Sequence, residues 1–187
     1  MSAVPEMRNR PITGEELFQQ PDAGPCELID GKIVPVSPTG DEHGGIEVNV
    51  SSALVTFVRA HRLGHVRAGE VGIYTRRSPD RVRAADVLYI SDRRYAQRTI
   101  TAGFLDVASE LVVEILSPRD TVMDLTEKLR EYFAIGVTLV WVIDPSARRV
   151  FVYRALTEVR ELTEADRLSG EDVVPGFDLS VAALFEE

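Results

Sequence analysis

The order of elements in this 187-residue chain predicts an α/β domain whose mixed β-sheet is covered by helices. Three observations carry that expectation. Short apolar runs bounded by turn signals recur along the chain, some as hairpins and some separated by helical segments. Two amphipathic stretches, 41–62 and 122–136, place apolar residues at helical spacing. A helix does not follow every strand, so an all-parallel, doubly wound sheet fits less well. Hydrophobic residues are 44% of the chain, enough for a sizeable core, and the length fits one domain.

Residues 1–11 read as a flexible lead-in without an apolar signal core, and 12–187 as a single domain. "ITGEELFQQP" (12–21) pairs Thr13 with Glu16 as a capping box, with Pro21 beyond, and predicts a short helix. "CELIDGKIVPVS" (26–37) sets two apolar runs around Asp30-Gly31, a strong hairpin signal. In 41–62 the helical face is Ile46, Val50, Ala53, Leu54, Phe57 and Val58, with Gly64 as the expected stop. Residues 65–75 read as a strand, 76–84 as a loop, 85–90 as a strand, and 91–108 as a short helix and loop. "SELVVEILS" (109–117) is a strand ended by Ser117-Pro118. In 122–136 the helical face is Leu125, Leu129, Tyr132 and Phe133, and Gly136 ends it. Strands at 138–144 and 148–155 flank the turn Asp144-Pro145-Ser146. An edge strand follows at 158–163, and 175–185 closes the domain with a short terminal helix.

The single cysteine, Cys26, excludes an internal disulfide and suits a reducing cytoplasm. No apolar run is long enough to span a membrane. The net charge of −9 argues against indiscriminate nucleic-acid binding. The charge is unevenly placed, however. Residues 59–98 hold ten arginines against four acids, a local +6 that leaves −15 for the rest. Such a segment is either a patch that meets phosphates or a solvated, arginine-rich surface. Of the 21 basic residues only Lys32 and Lys128 are lysines, so a retained lysine suggests a need for a compact ammonium.

Two acids interrupt apolar strands: Asp86 in "ADVLYI" and Glu114 in "LVVEILS". A carboxylate there is costly unless it is paired, hydrogen-bonded or bound to a metal. On neighbouring strands the two would converge on one divalent cation, and hard oxygen ligands suit magnesium or manganese. Taken singly, each is more readily a solvated strand-end acid or an arginine's partner; the two together favour a site. Lys128 lies on the helix after Glu114. It reads either as a surface pair with Asp124 or as an ammonium over the end of the Glu114 strand. No phosphate-binding glycine loop, zinc spacing or nucleophile elbow is present.

The ordered series "ELIDGKIVPVSP", "EHGGI", "ADVLYI", "VVEILSP", "DLTEKLREYFAIGV" and "WVIDPSARRVFVYR", from about Glu27 to Phe185, resembles the Uma family of restriction-endonuclease-like proteins. That family lies within the PD-(D/E)XK nuclease superfamily. The resemblance implies a restriction-endonuclease-like fold, a mixed central sheet flanked by helices, with a Mg2+-dependent (or Mn2+-dependent) nuclease site. Asp86 matches the motif's Asp and Glu114 its second acid. Ala85 stands where the family usually has Pro, and Leu116 where the superfamily's Lys normally lies. The resemblance places that lysine on the following helix, as Lys128. Glu27 and His43 match positions typical of the family, as further metal ligands or groups that orient one. Their plainer readings are a hairpin acid beside Lys32 and a capping or surface histidine. The implied activity is endonucleolytic hydrolysis of DNA. Backbone contacts are expected from Arg76, Arg77, Arg81, Arg83, Arg93 and Arg94, and a homodimer is allowed for. The alternative is an inactive module of this fold that binds nucleic acid or a protein.

Overall fold

In the computed structural model, residues 10–20 and 22–186 are described. The expected flexible lead-in therefore lies, apart from Arg10 and Pro11, outside the described residues, as does Pro21. The chain runs α1 (Gly14–Phe18), a hairpin of β1 (Cys26–Ile29) and β2 (Lys32–Pro35), α2 (Asp41–His61), β3 (Gly64–Arg76), β4 (Arg81–Ser91), α3 (Asp92–Tyr95), β5 (Leu111–Ile115), α4 (Val122–Ile135), β6 (Leu139–Asp144), β7 (Arg149–Ala155) and β8 (Glu158–Leu162). Two short strands, β9 (Arg167–Ser169) and β10 (Asp178–Ser180), pair with each other, and a 3-10 turn at Ala182–Phe185 follows.

The local signals act as their chemistry requires. The Thr13–Glu16 capping box is formed. Asp30 and Gly31 both take left-handed φ (54° and 73°), which a tight two-residue hairpin demands. Thr121 caps α4 through the Asp124 N–H, and Gly136 ends it at φ 98°. Two expectations are corrected. Gly64 does not stop α2; Arg62 takes the left-handed C-cap and Gly64 opens β3. The loop expected over 76–84 is a tight turn at 77–80, because Arg81 and Arg83 alternate with Val82 and Ala84 as a strand whose charged side chains find acids on α4.

The mixed sheet has the path β2-β1-β4-β5-β6-β7-β8, with β3 also paired to β4. The β5–β6 pair is parallel, and α4 makes the crossover between them. On one face, Ile46, Val50, Leu54 and Val58 of α2 pack on Val87, Tyr89, Val113 and Trp141, with Phe177 and Leu184 closing that layer. On the other, Leu129 and Tyr132 of α4 pack on Leu88, Ile90, Val112 and Val140.

The β4 strand decides where a site can form. β3 takes one of its edges along nearly the whole length, from Gly64↔Ser91 to Arg76↔Arg81. The other edge is divided: β1 meets it at Val82, and β5 meets it from Val87 to Tyr89. Between those two contacts, residues 83–86 have no strand partner on that side. On the β3 side the ladder shifts at the same level. Ala68 pairs Val87 and Val71 pairs Ala85, so Gly69 and Glu70 bulge opposite Asp86.

Candidate active site

Side chains fill the gap in the β4 edge. The Ala84 N–H donates to Glu27 Oε1 at 3.1 Å. Asp86 Oδ2 accepts from the Ile115 N–H at 2.6 Å, just where β5 has left the ladder. A cavity of about 610 Å³ opens there, and its wall includes Glu27, His43, Glu70, Asp86, Glu114 and Lys128. The divided edge thus gathers all five residues singled out from the sequence into one place, from β1, α2, β4, β5 and α4.

Glu114 is 5% exposed and holds two charged or polar partners. Lys128 Nζ donates to Oε2 at 2.7 Å, and the Tyr132 hydroxyl donates to Oε1 at 2.6 Å. Lys128 and Tyr132 are one helical turn apart on α4, so both reach the same carboxylate. Burial pushes the Glu114 carboxyl up to about 7; Lys128 opposes this, and the charge of Asp86 adds to it. Burial also acts against the Lys128 ammonium, but Glu114 and Glu27 outweigh it and hold its pKa above the ordinary value. Asp124 does not compete for Lys128, since it is tied to the Thr121 hydroxyl at the helix start.

Glu27 is occupied by other groups. Its Oε2 accepts from Arg83 at 2.8 Å, and its Oε1 faces the Ala84 N–H and, at 3.6 Å, Lys128 Nζ. Arg83 continues to Glu131, which also binds Thr75 and Arg81. Glu27 therefore props Lys128 and seals the strand edge. His43 Nε2 lies 3.5 Å from Asp86 Oδ2, and that contact raises the imidazole pKa against the effect of burial. The plainer reading of His43 as a surface cap does not hold, because the residue is buried and its helix is capped at Gly40 without a side-chain bond.

Five of the six arginines expected to contact phosphate are engaged by acids within the protein. Arg83 is buried between Glu27 and Glu131, and Arg81 binds Asp30, Glu127 and Glu131. Arg76 pairs with Asp30, Arg77 with Glu15 and Asp80, and Arg94 with Glu110 and three main-chain carbonyls. Of the six, Arg93 alone has no acid partner among the described residues. Five of the ten arginines of 59–98 are thus paired with acids, most of them from distant parts of the chain. At the cavity mouth, Arg119 donates to Ser37 Oγ at 2.7 Å and has no acid partner among the described residues. Sequence reasoning missed Arg119, Tyr132 and Glu70. The Lys128-to-Tyr132 spacing was the signal for Tyr132, and the bulge that presents Glu70 becomes visible only in the register.

The donor set fits a small hard cation. Asp86 and Glu114 supply carboxylate oxygens to one cavity, and the charge of Asp86 raises the cost of ionising Glu114, which a divalent ion would relieve. Among the described residues no three His, Cys, Asp or Glu side chains stand close enough to hold an ion by themselves. Magnesium typically takes one or two carboxylates and keeps several waters, so two carboxylates suffice. No helix among the described residues is long and apolar enough to cross a membrane.

The family model described as Uma2, "Putative restriction endonuclease", matches residues 15–182. The fold is similar to the crystal structure of "a putative nuclease belonging to DUF820 from Anabaena variabilis ATCC 29413", at 23% identity and a TM-score of 0.77, over 94% of this chain and 98% of that one. No curated protein matches the sequence.

Proposed function

Since the chain belongs to the Uma2 restriction-endonuclease family, we propose that it is a Mg2+-dependent endonuclease that hydrolyses phosphodiester bonds in DNA, with Asp86, Glu114 and Lys128 as its catalytic residues. The observation that carries this reading is the Lys128–Glu114 contact in a cavity shared with Asp86. Asp86 and Glu114 would hold the cation. When bound, magnesium lowers the pKa of a coordinated water and offsets phosphate charge.

The chain's own groups perform the remaining work. The Ile115 N–H and His43 fix the Asp86 carboxylate in place. Tyr132 and Lys128 fix both oxygens of Glu114 and favour its ionised form. The Lys128 ammonium, held by Glu114 and Glu27, is a preorganised positive charge for the oxygens of the phosphate undergoing attack. In this arrangement the lysine on α4 supplies the charge that Leu116 cannot. Leu116 instead packs on the apolar layer under α4. Glu27 and His43 support these groups and are not assigned as ligands.

Calorimetric titration of Mn2+ or Mg2+, with and without Asp86→Asn, tests the reading alongside nicking of supercoiled DNA. Cation binding that Asp86→Asn abolishes, with cation-dependent nicking by the parent protein, is expected. Binding of DNA without cation binding or nicking would favour the inactive nucleic-acid-binding module.

A further inference from the structure

The left-handed backbone at Glu70 needs an explanation. Among the described residues, the other non-glycine residues with such φ values, Asp30, Arg62, Ser78, Arg148 and Glu171, all stand in turns or at a helix end. Glu70, at φ 55°, stands inside strand β3. This conformation costs a residue with a long side chain about 1 kcal/mol or more and persists where the surroundings impose it. Here the Gly69 N–H donates to Glu47 Oε1 of α2 at 2.6 Å, which pins the bulge to the helix.

The bulge turns two residues toward one. Gly69 and Glu70 together oppose Asp86, and the Glu70 side chain enters the wall of the cavity that holds Asp86, Glu114 and Lys128. Bulges of this kind re-aim side chains beside functional sites. The other four acids of that wall are engaged: Glu27 by Arg83, Asp86 by Ile115 and His43, Glu114 by Lys128 and Tyr132, and Asp120 by the Ser117 N–H. No hydrogen bond or ion pair holds the Glu70 carboxylate among the described residues. A strained, half-buried and unpaired carboxylate facing a second carboxylate is poorly placed unless a cation shares the space.

We propose that Glu70 is a third carboxylate of the cation site, acting through one of the waters that magnesium retains. The inference rests on the proposed role of Asp86 and Glu114. A contact through water agrees with the spacing of the acids, since no three of them gather tightly enough to ligate one ion directly. It also makes Glu70 a positioning residue, whose oxygen would orient a water on the cation rather than touch the phosphate.

Mn2+ binding followed by calorimetry tests this without any need for turnover. Glu70→Gln keeps the shape and should weaken Mn2+ binding about tenfold or more, as loss of an outer-shell partner does. Glu70→Gly removes the carboxylate and the backbone strain together. It should melt no lower than the parent protein and still lose the same affinity, an outcome a purely structural role would not give. Asp86→Asn is the reference. If it abolishes binding while both Glu70 variants bind as the parent does, the inference is wrong and the two-carboxylate site stands. If Asp86→Asn also binds as the parent does, the site itself is misassigned and the inference falls with it.

Discussion

Glu114→Gln should make the metal-free protein more stable, and chiefly at neutral and alkaline pH. The substitution keeps the size of the side chain and removes its charge. Burial lifts the Glu114 carboxyl from 4.5 to about 7 even with Lys128 beside it. Between those values the folded protein holds a proton that the unfolded chain has released. The stability linked to this group is therefore full in acid and lost as pH rises through 7. At about 1.4 kcal/mol for each pH unit of the shift, the ionised carboxylate costs the fold about 3 kcal/mol by pH 8. The neutral variant lacks that cost. Tyr132 can still donate to the amide oxygen, and Lys128 retains Glu27 at 3.6 Å. Urea unfolding in the presence of a chelator is the assay. The variant should exceed the parent by about 3 kcal/mol at pH 8 and by about 1 kcal/mol or less at pH 5, with an unchanged denaturant slope. Magnesium should narrow the gap, because it would stabilise the parent alone. A variant less stable than the parent at pH 8, or a difference independent of pH, would refute the account of a strained acid.

Two other substitutions divide chemistry from scaffolding. Lys128→Ala should lower cleavage by about two to three orders of magnitude, as loss of a fixed electrostatic stabiliser does. Lys128→Arg should also be impaired, since a planar guanidinium does not reproduce the ammonium's donor geometry. Cleavage at the parent rate by the alanine variant would reduce Lys128 to a partner for buried acids. Arg119→Ala should weaken DNA binding and reduce the slope of affinity against salt by about one, the signature of one lost phosphate contact. Arg83→Ala should leave that slope alone and destabilise the fold by about 3–5 kcal/mol, because it strands Glu27 and Glu131. An Arg83 variant that folds normally and loses salt dependence would restore the basic segment as a contact surface.

Much of this arrangement is legible in the sequence. A carboxylate within "LVVEI" is anomalous on its face, and the anomaly at Glu114 leads straight to the cavity. A lysine in an arginine-rich chain is a similar local oddity, and Lys128 bonds that same carboxylate. The helices are legible because their caps and apolar spacing are local. What stays hidden depends on residues far apart in sequence. Charge counting treats Arg83 as part of a basic patch; its partner Glu27 lies 56 residues away and reverses that meaning. The bulge at Glu70 depends on the register of β3 against β4, which composition does not encode. The short β9–β10 pair carries too few residues for a periodic signal.

The divided edge of β4 has a consequence for solubility. A strand edge with free N–H and C=O groups invites a strand from another molecule. Residues 83–86 form such an opening in the middle of the sheet, between β1 and β5. Glu27 covers the Ala84 N–H, and the charges of Asp86, Glu114 and Lys128 crowd the remainder. An invading strand would have to strip water and counter-charges from each of them. The residues proposed to make the opening reactive are thus the same ones that keep it from being sticky.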